Sequence, residues 1–599
     1  MGGDARRSGR ARAARAGALD DEYSRARPRR RWRPGAELRI MRVLFIYPNL
    51  YTQMGFNHGL ASLSAVLRAA GHETRLVNLN ENLPPVPTAD DVVALVREWQ
   101  PGLVAFSCLT MQYPGALEMA RHLRSRARDE GFHLPPFAVG GIHPTMVPEL
   151  VMRDGVWDHV GIGECENALL ELVTRIERGE SPDDVPNFIS WRGGERPSGA
   201  ADGAVTDEEW VRNAVGEFPA LDDMPEPDYE LFDTARITAQ KHGWFGLMTS
   251  RGCPYRCTYC LNHRVMDLYK ADLGRSVAGL GFLRYRPADK MIAEIQGVLE
   301  RYEVGTFILD DDLFTMNPEH AIAFCDAYAA AGIDVPFVVN SHVKRLDPRV
   351  AEALARAGCR ILKLGIESGS PRVRTEVLKR HMSQRDILET VASADSCRLH
   401  TSAFLMVGLP TETRDERWET VDLLARARVG RFRTSFFYPF PGTEGYDFAV
   451  SGGYVSRDLQ SEVSDFTDGS ILDFGPEENL FIDKLGTVMP WFVNSRLDRF
   501  GAAPAAARYH APVKDVLAMD ADEWVAFKPG VRELDAELSA VCVRAGELHY
   551  AIRYNAFMGV RSDYYLAEEV GIEWATAAAK PVGERLMDLA LAAAASETC

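Results

Sequence analysis

Three cysteines lie close together in the segment SRGCPYRCTYCLNH, residues 250–263. Cys253, Cys257 and Cys260 are spaced C-x3-C-x2-C. Three thiolates can hold three irons of a 4Fe–4S cluster, which leaves the fourth iron open to bind a substrate. The alternative is a structural zinc site, which takes four ligands and would use His263 as the fourth. Because the loop follows an apolar, strand-like run, we favour the iron–sulfur interpretation.

Three adjacent carboxylates follow another apolar run in LDDDLF, residues 309–314. Asp310, Asp311 and Asp312 are of the type that hard cations such as Mg²⁺ and Ca²⁺ prefer. Side chains alternate between the two faces of a strand, so at most two of the three can converge on one point. Two of them could bind a metal ion or, as we favour, position a substrate or a cofactor.

The composition restricts the partners of the chain, which has 599 residues and a net charge of −17. This acidic balance argues against nucleic acid and anionic membranes as partners. No run approaches the ~18 consecutive apolar residues of a membrane span. Residues 1–40 are rich in arginine, and this composition predicts a disordered basic arm. The alternatives are that the segment precedes a true translation start at Met41 or that it is a targeting peptide. Apart from the cluster the cysteines are scattered, which favours a reducing cytoplasm.

The amino-terminal block, residues 41–180, alternates strand-like and helix-like segments. RVLFIYP (42–48) and LVAFSC (103–108) are typical of strands, and GLASLSAVLRAAG (59–71) is typical of a helix that ends at glycine. This rhythm predicts an α/β fold with a doubly wound, Rossmann-like parallel sheet, whose ligand binds beyond the carboxyl ends of the strands. Residues 181–240, rich in Pro, Asp and Glu, are interpreted as a linker with few packed elements.

Residues 241–450 resume the alternation and predict a partial (β/α)6 barrel. Its chemistry should lie at the carboxyl ends of the strands, and the cysteine loop follows the first of them. The remaining residues, 451–599, have mostly helical patterns with interleaved aromatic residues, for example LHYAIRYNAF. The candidate barrel strands are 245–250, 306–311, 337–341, 361–367, 402–408 and 434–440.

The cysteine segment resembles the radical S-adenosylmethionine (radical SAM) superfamily, with an aromatic residue, Tyr259, before the last cysteine. The resemblance extends over residues 241–450. It implies that S-adenosylmethionine chelates the open iron and is cleaved reductively to a 5′-deoxyadenosyl radical, with the electron supplied by an external donor such as flavodoxin or ferredoxin. It also implies that polar residues of GIESGS (365–370), Glu367 and Ser368, contact S-adenosylmethionine together with Tyr259. The alternative for Glu367 is that it caps the next helix.

The amino-terminal block is similar to the cobalamin-binding domains of radical SAM enzymes. The motif S-x-L at Ser107 to Leu109 is followed by a glycine pair, Gly140 and Gly141, where absent side chains let a nucleotide tail approach the backbone. The segments GGIHPT (140–145) and VGIGECE (160–166) extend the likeness. The resemblance implies cobalamin contacts from the following residues: Ser107, Leu109, Gly140, Gly141, His143, Thr145 and Glu164.

One cobalamin motif is missing. Domains that ligate cobalt use D-x-H-x-x-G after the first strand, whereas here the loop is YPNLYTQMGFNHG (47–59), with His58 and Gly59 at a different spacing. We therefore expect base-off cobalamin with no histidine on its lower face. The alternative is that the domain has lost its cobalamin.

The family implied is that of the cobalamin-dependent radical SAM enzymes, similar to the class B methyltransferases. The resemblance implies methylation of an unactivated carbon of a small molecule or natural-product intermediate. The reaction would proceed by way of the 5′-deoxyadenosyl radical and methylcobalamin. Antibiotic biosynthesis is a common context of the family. A second hypothesis uses the same cofactors for a rearrangement or an oxidative cyclisation. A third is a cobalamin-responsive regulator. A methylthiotransferase would need further grouped cysteines.

Overall fold

The computed structural model describes residues 40–50, 55–197, 200, 205–455, 469–555 and 560–565, with only the backbone for 553–555 and 560–565. The predicted basic arm, apart from residue 40, lies outside the described residues. Among the described helices, none combines the length and the apolar character needed to cross a membrane.

The amino-terminal block folds into a parallel sheet in the order β2-β1-β3-β4-β5 with helices on both faces, which confirms the predicted doubly wound fold. β1 is buried from Val43 to Tyr47 because both faces of the sheet are covered. The strand order reverses between β1 and β3, and ligands bind beyond the strand ends at such a point. The elements are β1 Arg42–Tyr47, α1 His58–Ala69, β2 Glu73–Asn78, α2 Ala89–Trp99, β3 Leu103–Ser107, α3 Tyr113–Glu130, β4 Phe137–Gly140, α4 Ile142–Met146, α5 Pro148–Arg153, β5 His159–Gly161 and α6 Glu166–Arg178.

The predicted linker contributes more structure than expected. β6 (Phe188–Trp191) and β7 (Trp210–Arg212) extend the amino-terminal sheet with antiparallel pairing, and α7 (Thr234–Gln240) precedes the barrel. The expectation of few packed elements was therefore wrong for this part of the segment. Each strand has only three or four residues between polar loops, so the apolar signal of Ile189, Trp191 and Trp210 is short.

The second sheet carries six parallel strands in the order β8-β11-β12-β13-β14-β15, which confirms the partial barrel. A small antiparallel pair, β9 and β10, lies beside the cysteine loop. The strands are β8 Trp244–Leu247, β9 Ser250–Arg251, β10 Arg284–Tyr285, β11 Thr306–Leu309, β12 Phe337–Ser341, β13 Cys359–Glu367, β14 His400–Val407 and β15 Arg431–Phe436. The helices are α8 Asn262–Leu273, α9 Ala288–Arg301, α10 Pro318–Ala330, α11 Pro348–Arg356, α12 Gln384–Ser396, α13 Arg414–Ala427 and α14 Glu444–Ser451.

The carboxy-terminal region is mostly helical from Pro476 to Arg544, as predicted. The segment LHYAIRYNAF, which we grouped with the helices, instead forms a strand that begins at Tyr550, so that prediction was wrong. Its alternation of aromatic and branched residues suits a strand better than a helix. The elements are α15 Pro476–Asn494, α16 Ala506–Ala518, α17 Ala521–Phe527, α18 Val531–Arg544, and the hairpin β16 Tyr550–Asn555 and β17 Val560–Tyr565, which pairs with β15.

Candidate active site between the sheet and the barrel

The start of the cysteine loop is anchored from the neighbouring strand end. The Asp311 carboxylate is fully buried and accepts hydrogen bonds from the N–H groups of Thr249 and Ser250 at 2.6 and 2.7 Å. Gly252 then has a φ of +98°, and a Cβ there would lie 2.3 Å from the Phe282 carbonyl oxygen. Only glycine fits this turn, which leads directly into Cys253.

The three cysteines are free thiols in one loop. Burial raises the pKa of Cys253 to about 12 and that of Cys260 to about 11, so metal binding must displace protons from these thiols. Among the described residues, no three His, Cys, Asp or Glu side chains are arranged to hold a single metal ion, and His263 is not brought to the cysteines as a fourth ligand. A cluster does not need that convergence, since each thiolate binds a different iron.

A buried arginine contacts the middle cysteine. Arg380 Nη1 lies 3.5 Å from the Cys257 Sγ and donates to the Tyr259 hydroxyl at 3.3 Å, and that hydroxyl donates to Glu367 Oε1 at 3.0 Å. Burial alone would lower the pKa of Arg380, but Tyr259, Glu367 and Cys257 raise it above its ordinary value. The guanidinium is therefore a fixed positive charge beside the cysteine loop.

The structure brings Glu367 to this loop but not Ser368. Glu367 ends β13 at a bulge, with a φ of +69°, and it binds Tyr259 instead of capping a helix. Ser368 is fully buried on the far side, where its hydroxyl donates to Glu412 at 3.3 Å and accepts from the Ser370 N–H. The Ser368 hydroxyl is thus engaged away from the cysteine loop, and its contact with S-adenosylmethionine stays a prediction.

A cavity of about 390 Å³ joins the carboxyl ends of the amino-terminal strands to the mouth of the barrel. Six of the predicted cobalamin residues line it, and so do Asp310 and Asp312 and the residues that flank the cysteines. The wall includes Ser107, Leu109, Gly140, Gly141, Thr145, Glu164, Ser250, Arg251, Gly252, Leu261, Asn262, Asp310 and Asp312.

The glycine pair gives this cavity the shape needed for a bulky ligand. A Cβ on Gly140 would meet nothing within 4 Å, so that side of the cavity is open beside the backbone. Gly141 has a φ of +102°, and a Cβ there would lie 2.6 Å from the Cys108 carbonyl oxygen. Leu109 is 37% exposed in the same wall. Open space along the backbone and an uncovered apolar side chain fit the tail and the ring of a cobalamin.

His143 does not reach the cavity, although the sequence placed it among the cobalamin residues. Its ring is 1% exposed, stacks 4.4 Å from the Tyr113 ring and lies 3.3 Å from the Thr110 hydroxyl. Burial lowers the pKa of His143 to about 4, so the ring is neutral. The short helix α4 directs this side chain into the protein and leaves Thr145, two residues further on, at the cavity.

The acidic run divides between the cavity and the core. Asp310 and Asp312 border the cavity, whereas Asp311 is buried. Asp310 Oδ2 lies 3.2 Å from His58 Nε2, and Asp312 accepts from Asn262 at 2.9 Å. Burial favours a raised pKa for Asp310, but the contact with His58 and the charges of Lys363 and Lys241 lower it. Two of the three carboxylates thus border the cavity, and the third is turned into the core.

Glu164 links the sheet to the barrel at the edge of the cavity. Its carboxylate accepts from Arg251 at 2.8 Å and from Arg284 at 3.0 Å, and Arg251 also donates to Glu166 at 2.6 Å. Burial would raise the pKa of Glu164, but the two arginines lower it, so the group is ionised. Because Arg251 lies two residues before Cys253, this network ties the cysteine loop to the amino-terminal sheet.

Replacing Glu164 with glutamine is expected to weaken the contact between the two halves of the site. Arg251 and Arg284 would lose an ionised partner in a largely buried setting, which costs about 2 kcal/mol. Thermal unfolding should begin several degrees lower, with a faster loss of bound cobalamin. Glu171→Gln, which removes a surface pair with Arg175 in α6, is the control and should change the midpoint little. Equal effects of the two variants would contradict the proposed coupling.

Several residues of this site escape sequence reasoning. Arg380 and Arg284 are ordinary surface-type residues in the sequence, and nothing in their neighbours marks them; Asn262 follows the cysteine motif without a signal of its own. Arg380 is 123 positions from Cys257, and Arg284 is 120 positions from Glu164. The only local signal is the adjacency of Arg251 to the cysteine motif.

Family comparisons agree with this division of the chain. Residues 51–173 match the B12 binding domain, and residues 247–424 match the radical SAM superfamily. The chain therefore combines a radical SAM domain with an amino-terminal B12-binding domain, the pair of domains found in cobalamin-dependent radical SAM proteins.

Relatives of this chain are named for different reactions. The chain is 25% identical over 429 residues to an uncharacterized methyltransferase of Pyrococcus horikoshii, covering 70% of this chain and 85% of the relative. It is 23% identical to the anaerobic magnesium-protoporphyrin IX monomethyl ester cyclase of Cereibacter sphaeroides, covering 67% and 63%. The solved radical S-adenosylmethionine methyltransferase TsrM from Kitasatospora setae, bound to tryptophan and a SAM analogue, superposes with a TM-score of 0.51 at 18% identity, covering 69% and 77%. The last likeness shows a shared fold.

Proposed function

We propose that this protein is a C-methyltransferase that methylates an unactivated carbon of a small molecule or natural-product intermediate. The observation that carries the proposal is the single cavity whose wall contains both the cobalamin-type strand ends and the residues flanking the cysteine loop. When bound, the cluster and S-adenosylmethionine supply a hydrogen-abstracting radical, and cobalamin supplies the methyl group. The substrate then lies between them, at the mouth of the barrel.

The residues on the barrel side of the cavity bind and orient the cluster and S-adenosylmethionine. Cys253, Cys257 and Cys260 hold a 4Fe–4S cluster and leave one iron for S-adenosylmethionine. Tyr259 and Glu367 hold the polar end of S-adenosylmethionine, supported by their mutual hydrogen bond beside the cysteine loop. An external electron donor such as flavodoxin or ferredoxin reduces the cluster, and a reducing cytoplasm preserves it.

The residues of the sheet side hold cobalamin without a histidine below the metal. Ser107, Leu109, Gly140, Gly141 and Thr145 border the space for the nucleotide tail and the ring. His58 is the cavity histidine that comes after β1, and its Nε2 is engaged with Asp310. That contact supports the absence of a lower histidine ligand, because a nitrogen held by a carboxylate is less available to cobalt.

A second candidate function is a rearrangement or oxidative cyclisation with the same cofactors. The likeness to a magnesium-protoporphyrin IX monomethyl ester cyclase favours this alternative. Both functions would use the same cavity. They differ in whether a methyl group is transferred to the product.

Anaerobic reconstitution with iron, sulfide and hydroxocobalamin separates these functions. The loaded protein is reduced and given S-adenosylmethionine with a panel of candidate small molecules. Methyl transfer predicts that 5′-deoxyadenosine and S-adenosylhomocysteine appear together, with a product heavier by one methylene unit. 5′-Deoxyadenosine with a substrate-derived product and no S-adenosylhomocysteine would favour the second candidate. Failure to take up cobalamin would contradict both.

Replacing Arg380 with glutamine is expected to make the bound cluster harder to reduce. The variant removes a buried positive charge that contacts the Cys257 sulfur, and charge and hydrogen bonding at the sulfurs set the potential of such clusters. The midpoint should fall by about 60 mV or more, as for the loss of one charge-assisted hydrogen bond. Potentiometric titration followed by EPR measures it. Arg256→Gln, which removes a more exposed pair with Asp267 in the same loop, is the control, and an equal shift there would contradict the assignment.

A further inference from the structure

The interior of the barrel contains a lysine, Lys363, that has no assigned role in binding the cofactors. Lys363 lies in the middle of β13, partly exposed, between Leu362 and Leu364, which are fully buried in the core under the helices. Because side chains alternate across a strand, Lys363 points into the barrel. The register places Asn340 of β12 and Ser402 of β14 beside it.

Charges from several strands act on this lysine. Arg431 and Arg433 of β15, Lys241 before β8 and Asp310 after β11 are all in electrostatic range of Lys363. These groups lie on or next to β8, β11 and β15, on both sides of β13 in the sheet order, which is consistent with a position in the hollow of the barrel. Burial, with Arg433, Arg431 and Lys241, lowers the pKa of Lys363 to about 8 against the opposing effect of Asp310. Three cationic side chains and one carboxylate therefore act on this amine.

Asp310, the carboxylate among these charged residues, already contacts another side chain. Asp310 contacts His58 at 3.2 Å, and Arg431 donates through Nε to Ser402 at 2.9 Å. No hydrogen bond or ion pair holds the Lys363 ammonium among the side chains described for this chain. A partly buried ammonium among further cations is costly unless an anion joins it.

We propose that Lys363 binds an anionic group of the substrate, a carboxylate or a phosphate, in the interior of the barrel. The proposal deepens the proposed function and rests on it. Arg433 adds to the positive field, and Phe404 and Met406, the partly exposed apolar residues of β14, border the carbon skeleton nearer the strand ends. The substrate is thus held by an anionic end while its reacting carbon faces the cavity.

The position of Lys363 separates this site from S-adenosylmethionine. Glu367 is four residues further along β13, which corresponds to about 13 Å along an extended strand. The carboxylate of S-adenosylmethionine, chelated at the cysteine loop, would lie at the Glu367 end. An anion bound at the Lys363 end would therefore be a different group.

Residue-specific lysine acetylation tests this proposal on the cobalamin- and cluster-loaded protein. The labelling rate of Lys363 is measured by peptide mass spectrometry at low ionic strength, alone and with inorganic phosphate, succinate or the uncharged succinamide. Lys514, an exposed lysine of α16, is the internal control. We expect phosphate or succinate to slow labelling of Lys363 about tenfold, while succinamide has no effect and Lys514 is unchanged. The stronger protector identifies phosphate or carboxylate as the preferred group.

Three outcomes would overturn the proposal. These are a Lys363 that is not labelled in the absence of anions, equal labelling in all conditions, and equal slowing at Lys514, which would indicate a bulk salt effect. Thermal shift is the second readout: phosphate or succinate should stabilise Lys514→Met like the unmodified protein and stabilise Lys363→Met much less. Cobalamin content and S-adenosylmethionine cleavage are measured on the same unmodified sample, so a failure of the proposed function is seen separately.

Discussion

Replacing Cys257 with alanine is expected to abolish reductive cleavage of S-adenosylmethionine and to leave cobalamin binding largely intact. Two thiolates cannot hold a cluster in which three irons need cysteine ligands. Cys257 is buried beside Arg380, at the centre of the predicted cluster site. The cobalamin wall is built from other strands and should be preserved. The measurements are iron content, 5′-deoxyadenosine formation and the absorption spectrum of bound cobalamin.

Cys397→Ala is the matched control for this variant. Cys397 follows helix α12 as a free, partly buried thiol outside the loop. The control should keep its iron and its 5′-deoxyadenosine formation. Loss of cobalamin with retained cleavage in Cys257→Ala would contradict the assignment of the two halves of the chain.

The second large effect is expected from Gly140→Leu, which should remove cobalamin without unfolding the protein. A side chain at this position starts in open space, with no atom within 4 Å of its Cβ, and extends into the cavity. The space that it fills is the space needed by the nucleotide tail. Cobalamin content should fall about tenfold or more, since a clash costs a tightly packed ligand ~1–3 kcal/mol. Equilibrium binding of hydroxocobalamin to the cluster-loaded protein measures the loss.

Gly530→Leu is the control for filling an open glycine position. Gly530 is exposed and also has nothing within 4 Å of an added Cβ. Both variants should retain the thermal midpoint of the unmodified protein, and only Gly140→Leu should lose cobalamin. Normal cobalamin binding by Gly140→Leu would show that the ligand does not use this side of the cavity.

The sequence predicts what depends on local patterns. The cysteine spacing, the parallel strands and the glycine pair each leave a short, recognisable signal, and all lie at or near the cavity. β6 and β7 were missed because strands of three or four residues carry too little alternation to stand out among polar loops.

Side-chain direction accounts for the remaining differences. Ser368 and His143 are next to or near residues of the site, but a bulge and a short helix turn them into the core. Arg380 and Arg284 enter the site from distant parts of the chain, and a single sequence carries no sign of such pairings. The candidate site was thus predicted at the level of motifs and not at the level of individual contacts.

Low-temperature EPR of the reconstituted and reduced protein, with metal analysis of the same sample, tests the central claim most directly. The claim is that three cysteines hold a cluster with one iron open. We predict about four irons per chain, a reduced-cluster signal, and a change in that signal when S-adenosylmethionine is added. Stoichiometric zinc, or a reduced-cluster signal that S-adenosylmethionine leaves unchanged, would contradict it.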